Sequence, residues 1–389
     1  FGKELLHMKK IISLLLSLTL LFVFPINCYA EEETSGSAEI DDKSKSSILL
    51  CADTGEVIYE KNAYEHLSPA SVTKVMSMLL VLEAIESRKI SPDDEVSTSE
   101  NAVAMGGSQI WLEQGETMTV DELFKAVVIA SANDACTALA EYIAGSTASF
   151  VTMMNERAKE LGLENTNFEN CTGLDDTATN HYSCAYDIAV MAREVIRHDL
   201  VRNYTTVWLD YLRDGETELN NTNKLVNSYN GITGLKTGTT SKAGFCVCAT
   251  AERDGMSLIA VVLGAQTSDE RFESAANLLD YGFANYEVIA PQIDERMITQ
   301  VRVKNGKEKS ILPIYNETDK ILVKKGSEEI TYSYNIEKSV AAPVAEKAVL
   351  GEITIKSGDN IIKKIELYAG KPIEKISFSF VFKEMLKNI

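Results

Sequence analysis

Between Val72 and Ile85 the chain is apolar at Val72, Val75, Met76, Met78, Leu79, Leu80, Val81, Leu82 and Ile85. Wound at 3.6 residues per turn, those positions cover almost the whole circumference of a helix over residues 71–89. A helix that is apolar all round has to be enclosed by other elements. A fold with such a helix therefore needs further layers around it. The flanking sequence offers them. Ile48 to Ala52 and Val57 to Tyr59 read as two strands about the turn Asp53-Thr54-Gly55-Glu56. Helices are expected over Asp121 to Ile129, Ala135 to Ala144, Phe150 to Leu161, Ala185 to Arg197 and Arg271 to Phe283. Strands are expected over Gly234 to Thr237, Gly244 to Ala251 and Met256 to Gly264, the last two joined at Asp254-Gly255. Strands at both ends with helices between them predict an α+β domain whose terminal strands share one antiparallel sheet.

Near residue 290 the pattern changes. From Ile293 to about Ile373, short strands alternate with the turn signals Asn305-Gly306, Lys325-Gly326 and Ser357-Gly358-Asp359, which predicts a second, all-β domain of under 100 residues. The expected organisation is a signal peptide over 1–30, a linker over 31–46, the α+β domain over 47–290, a β domain over 291–377 and an amphipathic segment over 378–389. The leader reading rests on Lys9-Lys10, the apolar run Ile11 to Phe24 and the small-residue exit before Glu31. In the last segment, Phe378, Val381, Phe382, Met385, Leu386 and Ile389 share one helical face opposite Lys383, Glu384, Lys387 and Asn388. That pattern suits a membrane surface, and it also suits packing against the β domain. Export would leave the protein at the outer face of the cytoplasmic membrane.

The formal net charge is −19, and residues 1–30 contribute +2 through Lys3, Lys9, Lys10 and Glu4, so the remainder carries −21. Nucleic-acid partners call for a basic surface, and so acidic a chain is expected to repel them. The six cysteines beyond the leader, Cys51, Cys136, Cys171, Cys184, Cys246 and Cys248, show no CxxC pairing and read as small buried hydrophobes. There is no HExxH, no Cys/His cluster, no GxSxG and no GxGxxG, so neither a metal nor a cofactor is expected.

Three short polar sets remain. Pro69-Ala70-Ser71-Val72-Thr73-Lys74 opens the apolar helix, and Ser71 is the only serine with a lysine three places on. That spacing stacks the two side chains on one face. Ser131-Ala132-Asn133 lies between two predicted helices, in apolar surroundings where polar side chains need partners. Lys236-Thr237-Gly238-Thr239 lies on a predicted strand, where a glycine would let a substrate backbone approach. Each set alone is weak: Ser99/Asn101, Ser228/Asn230 and Ser333/Asn335 also match SxN, and Lys356-Ser357-Gly358 mimics the third.

Taken together and in this order, they resemble the motifs of the D-alanyl-D-alanine carboxypeptidases, the low-molecular-mass penicillin-binding proteins. The resemblance runs from about residue 46 to the end and includes Lys61-Asn62-Ala63, Gly173-Leu174-Asp175 and Leu278 to Phe283. It implies a penicillin-binding/β-lactamase-like transpeptidase domain, an antiparallel sheet with a helical cluster, followed by a small β domain. It implies Ser71 as acylated nucleophile, Lys74 as its base, and Ser131 and Lys236 as a proton relay. It further implies Asn133 as a ligand for substrate or Lys74, the N–H groups of Ser71 and Thr239 as oxyanion hole, and Thr237, Gly238, Thr239 and Arg271 around the substrate's carboxylate end. Peptidoglycan stem peptides would be the substrate and β-lactams covalent inhibitors. Ala132 stands where the family often has glycine. Alternatives are a DD-endopeptidase, a β-lactamase using Glu160 or Glu164 for deacylation, and a non-catalytic penicillin-binding wall module.

Overall fold

The computed structural model describes residues 40–175, 178–316 and 320–380. The leader, most of the expected linker and residues 381–389 lie outside the described residues. Five antiparallel strands form the central sheet: β1 (Ser46–Cys51), β2 (Val57–Lys61), β3 (Ile232–Thr240), β4 (Gly244–Arg253) and β5 (Met256–Ala265). Their spatial order is β2-β1-β5-β4-β3, so β1 pairs with β5 across most of the domain's sequence. The predicted sharing of one sheet by the terminal strands is what is found.

The sheet is buried on both faces, and period two sorts its residues. Ile48, Leu50, Cys246, Cys248, Ile259, Val261 and Leu263 face a helical cluster. Leu49, Cys51, Val247, Ala249, Leu258, Ala260 and Val262 face a single long helix, α6 (Ser268–Asn285). All six cysteines are free and buried, as small hydrophobes would be. The cluster comprises α1 (Lys74–Glu86), α2 (Val120–Ile129), α3 (Asn133–Ala144), α4 (Thr147–Glu160) and α5 (Ala185–Val195). Helix α1 is buried from Lys74 to Leu82 and packs against α2, α3, α4 and α5, the enclosure that its all-round apolarity demanded.

Several boundaries differ from the sequence expectation. Ser71 is not on the α-helix: Ala70–Thr73 form a 3-10 turn that runs into α1 at Lys74. Helix α6 starts three residues before Arg271 because Thr267 and Glu270 form a capping box that periodicity alone does not reveal. The last residues of the expected linker are docked. The Lys43 amide donates to Ser274 Oγ at 3.0 Å, Asn277 donates to the Asp41 carbonyl at 2.9 Å, and Ser46 already belongs to β1.

Strand β6 (Tyr286–Ile289) follows α6 directly, just ahead of the expected boundary at residue 291, and pairs with β8 (Ile321–Lys324) of the second domain. Strand β7 (Val301–Lys304) lies in a small separate sheet, while β9 (Ile330–Ile336), β10 (Val349–Ser357) and β11 (Asn360–Tyr368) form an antiparallel sheet of their own. Its packed residues include Ile321, Val323, Ile353, Ile355 and Leu367. Lys320 ties this domain to the β1–β2 turn and the β4–β5 hairpin, donating to Asp53 Oδ1 at 2.6 Å and the Gly255 carbonyl at 2.8 Å.

The capping box at the start of α6 gives a stability test. Removing an N-cap hydroxyl costs about 1 kcal/mol. Thr267→Ala should lower the urea midpoint by a corresponding amount without changing the slope of the transition.

Candidate active site

The 3-10 turn is what aligns the first pair. At three residues per turn, side chains at i and i+3 eclipse, so Ser71 and Lys74 lie one above the other more directly than on an α-helix. Lys74 Nζ is 3.0 Å from Ser71 Oγ. It also donates to Asn133 Oδ1 at 2.5 Å and to the Thr172 carbonyl at 2.9 Å. Ser71 is half-buried, whereas Lys74 is fully buried. Burial pushes the Lys74 ammonium down to about 8, against weaker opposing effects of Cys136, Cys171 and Asp134.

The second pair forms where α2 ends and α3 begins. Ser131 has a left-handed backbone, φ 63°, and turns its hydroxyl toward Lys236 Nζ, 2.8 Å away. Lys236 is 1% exposed and also donates to the Thr237 carbonyl. Burial, then the charges of Lys74 and Arg271, hold its ammonium well below the usual lysine range. Two buried lysines near each other cannot both carry charge cheaply. Ala132 is buried with φ −59°, a conformation open to any residue, so alanine costs nothing at the place of the family's glycine.

Asn133 and Asp134 together hold the 106–116 loop. Asn133 donates through Nδ2 to the Gly106 carbonyl at 2.7 Å and through its amide to the Ser108 carbonyl at 2.7 Å. The buried Asp134 carboxylate accepts from the amides of Ile110 and Leu112.

Strand β3 delivers the third set, and its glycine has a different reason from the one expected. A Cβ on Gly238 would lie 2.8 Å from the Pro69 carbonyl oxygen and the Ser71 amide nitrogen. The space is taken by the protein's own Ala70–Thr73 turn, and the glycine lets β3 cross that turn at contact distance. Thr237 Oγ1 donates to Thr222 Oγ1 at 2.7 Å. Thr239 Oγ1 accepts from Arg271 Nη1 at 2.9 Å, and the same Nη1 also donates to the carbonyls of Gly238 and Cys246. Burial lowers the Arg271 guanidinium to about 10. Its Nε is buried with no hydrogen-bond partner among the described residues.

All nine residues singled out in the sequence thus converge on the junction of the Ala70–Thr73 turn, the α2–α3 corner and β3. Glu160 and Glu164 do not: both are exposed, and Glu160 pairs with Arg157 at the surface. Among the described residues, no group of three or more His, Cys, Asp or Glu is arranged to hold a metal ion. Sequence reasoning passed over Thr172, whose contribution is a main-chain carbonyl and carries no side-chain signal, and Asp134, which acts on backbone amides. It quoted Gly173 without a role. A Cβ there would meet the Ala70 carbonyl oxygen at 1.8 Å, and its φ is 83°.

Fold and constellation define the class: a penicillin-recognising serine hydrolase built on an α+β domain with a β-rich appendage. Residues 32–267 match the family model described as D-alanyl-D-alanine carboxypeptidase, and residues 290–375 match that of the penicillin-binding protein 5 C-terminal domain. The chain belongs to the D-alanyl-D-alanine carboxypeptidase family. It is 40% identical over 376 residues to D-alanyl-D-alanine carboxypeptidase DacF of Bacillus subtilis, covering 95% of this chain and 96% of that one. With DacC of Escherichia coli it shares 34% identity, over 92% of this chain and 90% of the relative. Penicillin-binding protein 5 from Haemophilus influenzae superposes with a TM-score of 0.79 at 29% identity, over 87% of this chain and 100% of that one. By family, then, the chain is a serine-type carboxypeptidase.

The two left-handed glycines at positions 173 and 255 separate packing from backbone strain. Gly255 has φ 76° and open space around it. Gly255→Ala should cost only about 1 kcal/mol. Gly173→Ala should cost about 2 kcal/mol or more and should also displace the Ala70–Ser71 turn. Thermal melts and labelled-penicillin uptake of the two variants distinguish these outcomes.

Proposed function

We propose that Ser71 is the nucleophile that removes the terminal D-alanine from peptidoglycan stem pentapeptides, with Lys74 as its base. The observation that carries this reading is the hydrogen-bond set of Lys74 Nζ. Asn133 Oδ1 and the Thr172 carbonyl oxygen only accept. A neutral amine gives its two N–H bonds to them, and its lone pair is then left for the Ser71 hydroxyl. The free serine is a poor nucleophile and needs such a base.

In the acylation step Lys74 takes the Ser71 proton as Oγ bonds to the carbonyl carbon between the two D-alanines. Negative charge gathers on the carbonyl oxygen, and the N–H groups of Ser71 and Thr239 receive it. The C–N bond then breaks, and a proton delivered through Ser131 and Lys236 leaves with the departing D-alanine as its amine. Asn133 binds the substrate backbone as well as Lys74. Thr237, Thr239 and Arg271 receive the terminal carboxylate, with Gly238 keeping the strand against the nucleophile turn. Water next hydrolyses the Ser71 ester and restores the enzyme. A β-lactam forms the same ester by opening its ring, but its amine stays tethered. Penicillin-binding protein D2 from Listeria monocytogenes, 32% identical over 63% of this chain with a TM-score of 0.58, is described in an ampicillin-bound form. That resemblance supports acylation here.

Export through residues 1–30 and contact of residues 378–389 with a membrane surface complete the proposal. Among the described residues no helix is long and apolar enough to cross a membrane; the amphipathic pattern of residues 378–389 is what suits contact with a membrane surface. The full chain should co-sediment with anionic vesicles, and a chain ending at residue 377 should not.

Acylation depends on neutral Lys74. With its ammonium at about 8, the rate of benzylpenicillin acylation should rise with pH and level off above about 8. Lys74→Arg, which cannot deprotonate, should lower that rate by roughly a thousandfold or more. Ser71→Ala should give no covalent adduct by mass spectrometry and no D-alanine release from a D-Ala-D-Ala peptide.

A further inference from the structure

His181 is buried, 5% exposed, and belongs to none of the three motifs. Its two ring nitrogens join two parts of the site. Nδ1 lies 3.0 Å from the backbone N–H of Glu169, which can only donate, so Nδ1 must accept. The neutral ring therefore carries its proton on Nε2. That nitrogen is 2.7 Å from Thr73 Oγ1, so Nε2–H donates to the threonine hydroxyl. The partners fix the tautomer, and burial keeps the ring neutral. Its pKa is pushed down to about 4 by burial, with Glu169 and Asp175 opposing and Lys242 assisting.

What the imidazole connects is specific. Thr73 lies between Ser71 and Lys74 on the nucleophile turn. Glu169 opens the loop that supplies the Thr172 carbonyl to Lys74. That loop is stiffened from within by Asn170, whose Oδ1 accepts from the amides of Thr172 and Gly173, and whose Nδ2 donates to the Leu174 carbonyl. His181 also begins a short extended segment clamped on both sides. Tyr182 pairs with Asn167, and Ser183 pairs with Leu67, just ahead of Pro69. The same three residues thus hold the chain before the nucleophile turn and the chain before the Thr172 loop.

We propose that His181 is a positioning residue for the acylation step: bridging Thr73 Oγ1 and the Glu169 amide, it fixes the Thr172 carbonyl against Lys74 and so directs the Lys74 lone pair at Ser71 Oγ. His181 touches no reacting atom. It sets the distance between the base's acceptor and the turn that carries base and nucleophile. A displacement of about 1 Å at such a contact can cost up to roughly a hundredfold in rate.

The inference rests on Lys74 as base, and Lys74→Ala tests that separately: acylation at the wild-type rate in that variant would defeat the base assignment itself. The test of His181 uses the full chain and benzylpenicillin, separating the first-order acylation constant from the preceding non-covalent dissociation constant. His181→Phe fills the space without either polar contact. His181→Gln offers an amide oxygen and N–H for the same two partners. The expected result is an acylation constant about tenfold or more lower in His181→Phe, an unchanged dissociation constant, and recovery of most of the rate in His181→Gln. An unaltered acylation constant in folded His181→Phe, or a smaller burst with an unchanged rate constant, overturns the proposal. If His181→Phe does not fold, Thr73→Val decides, because it removes only the hydroxyl end of the bridge. A comparable loss of acylation rate supports the proposal, and a wild-type rate overturns it.

Discussion

A lysine sealed inside the domain is the constraint on which the rest of the structure depends. Lys74 is 0% exposed, and a buried ammonium without partners is costly. The fold answers with three oxygen atoms brought from three places: Ser71 on the same turn, Asn133 from the α2–α3 corner, and the Thr172 carbonyl from a long loop. Each must be held within hydrogen-bond distance. The neighbouring architecture, from the 3-10 start of α1 to the turn built by Asn170, serves that requirement. Since burial draws the ammonium down to about 8, the arrangement that satisfies the lysine also suits the role of base proposed for it.

Close backbone approach is the second theme. Gly238 and Gly173 both abut the Ala70–Thr73 turn from outside it, and neither leaves room for a side chain. The turn itself holds Ala70 at φ 48°, and the adjoining corner holds Ser131 at φ 63°. Left-handed conformations at non-glycine residues cost free energy and persist where surrounding contacts dictate them. Here the surrounding contacts are β3, packed on one side of the turn, and the Thr172 loop on the other. Lys236 and Arg271 extend the set across β3, and the positive charge they share with Lys74 further disfavours full protonation of the group.

Much of the fold was legible in the residues. The all-round apolar stretch of α1 gave its central position, strands at both ends of the domain gave one shared antiparallel sheet, and Asp254-Gly255 gave the hairpin. Ser71, Lys74, Ser131, Asn133 and Lys236 could be named because their chemistry lies in side chains set at short spacings. What stayed hidden acts through the main chain or over long separations. The Thr172 carbonyl has no residue signature, Asp134 holds amides more than twenty positions away, and Gly238 faces its own chain where a substrate was expected. Strand β6 was also concealed, since a strand continuous with α6 shows no break in composition.

The sequence by itself determined which atoms are available for chemistry: a serine hydroxyl, two lysine amines, an asparagine amide and an arginine, together with enough apolar surface to bury them. It also set Ser71 three places before Lys74, a spacing that puts the two side chains on one face of a helical turn, while the 3-10 form of that turn came with the contacts around it. Tertiary structure decided how far the lysines titrate from their usual range and which partners surround Lys74. Those depend on burial and on acceptors 59 and 98 residues from Lys74, and no local pattern fixes the distance between groups so far apart until the sheet and the helical cluster have closed around them.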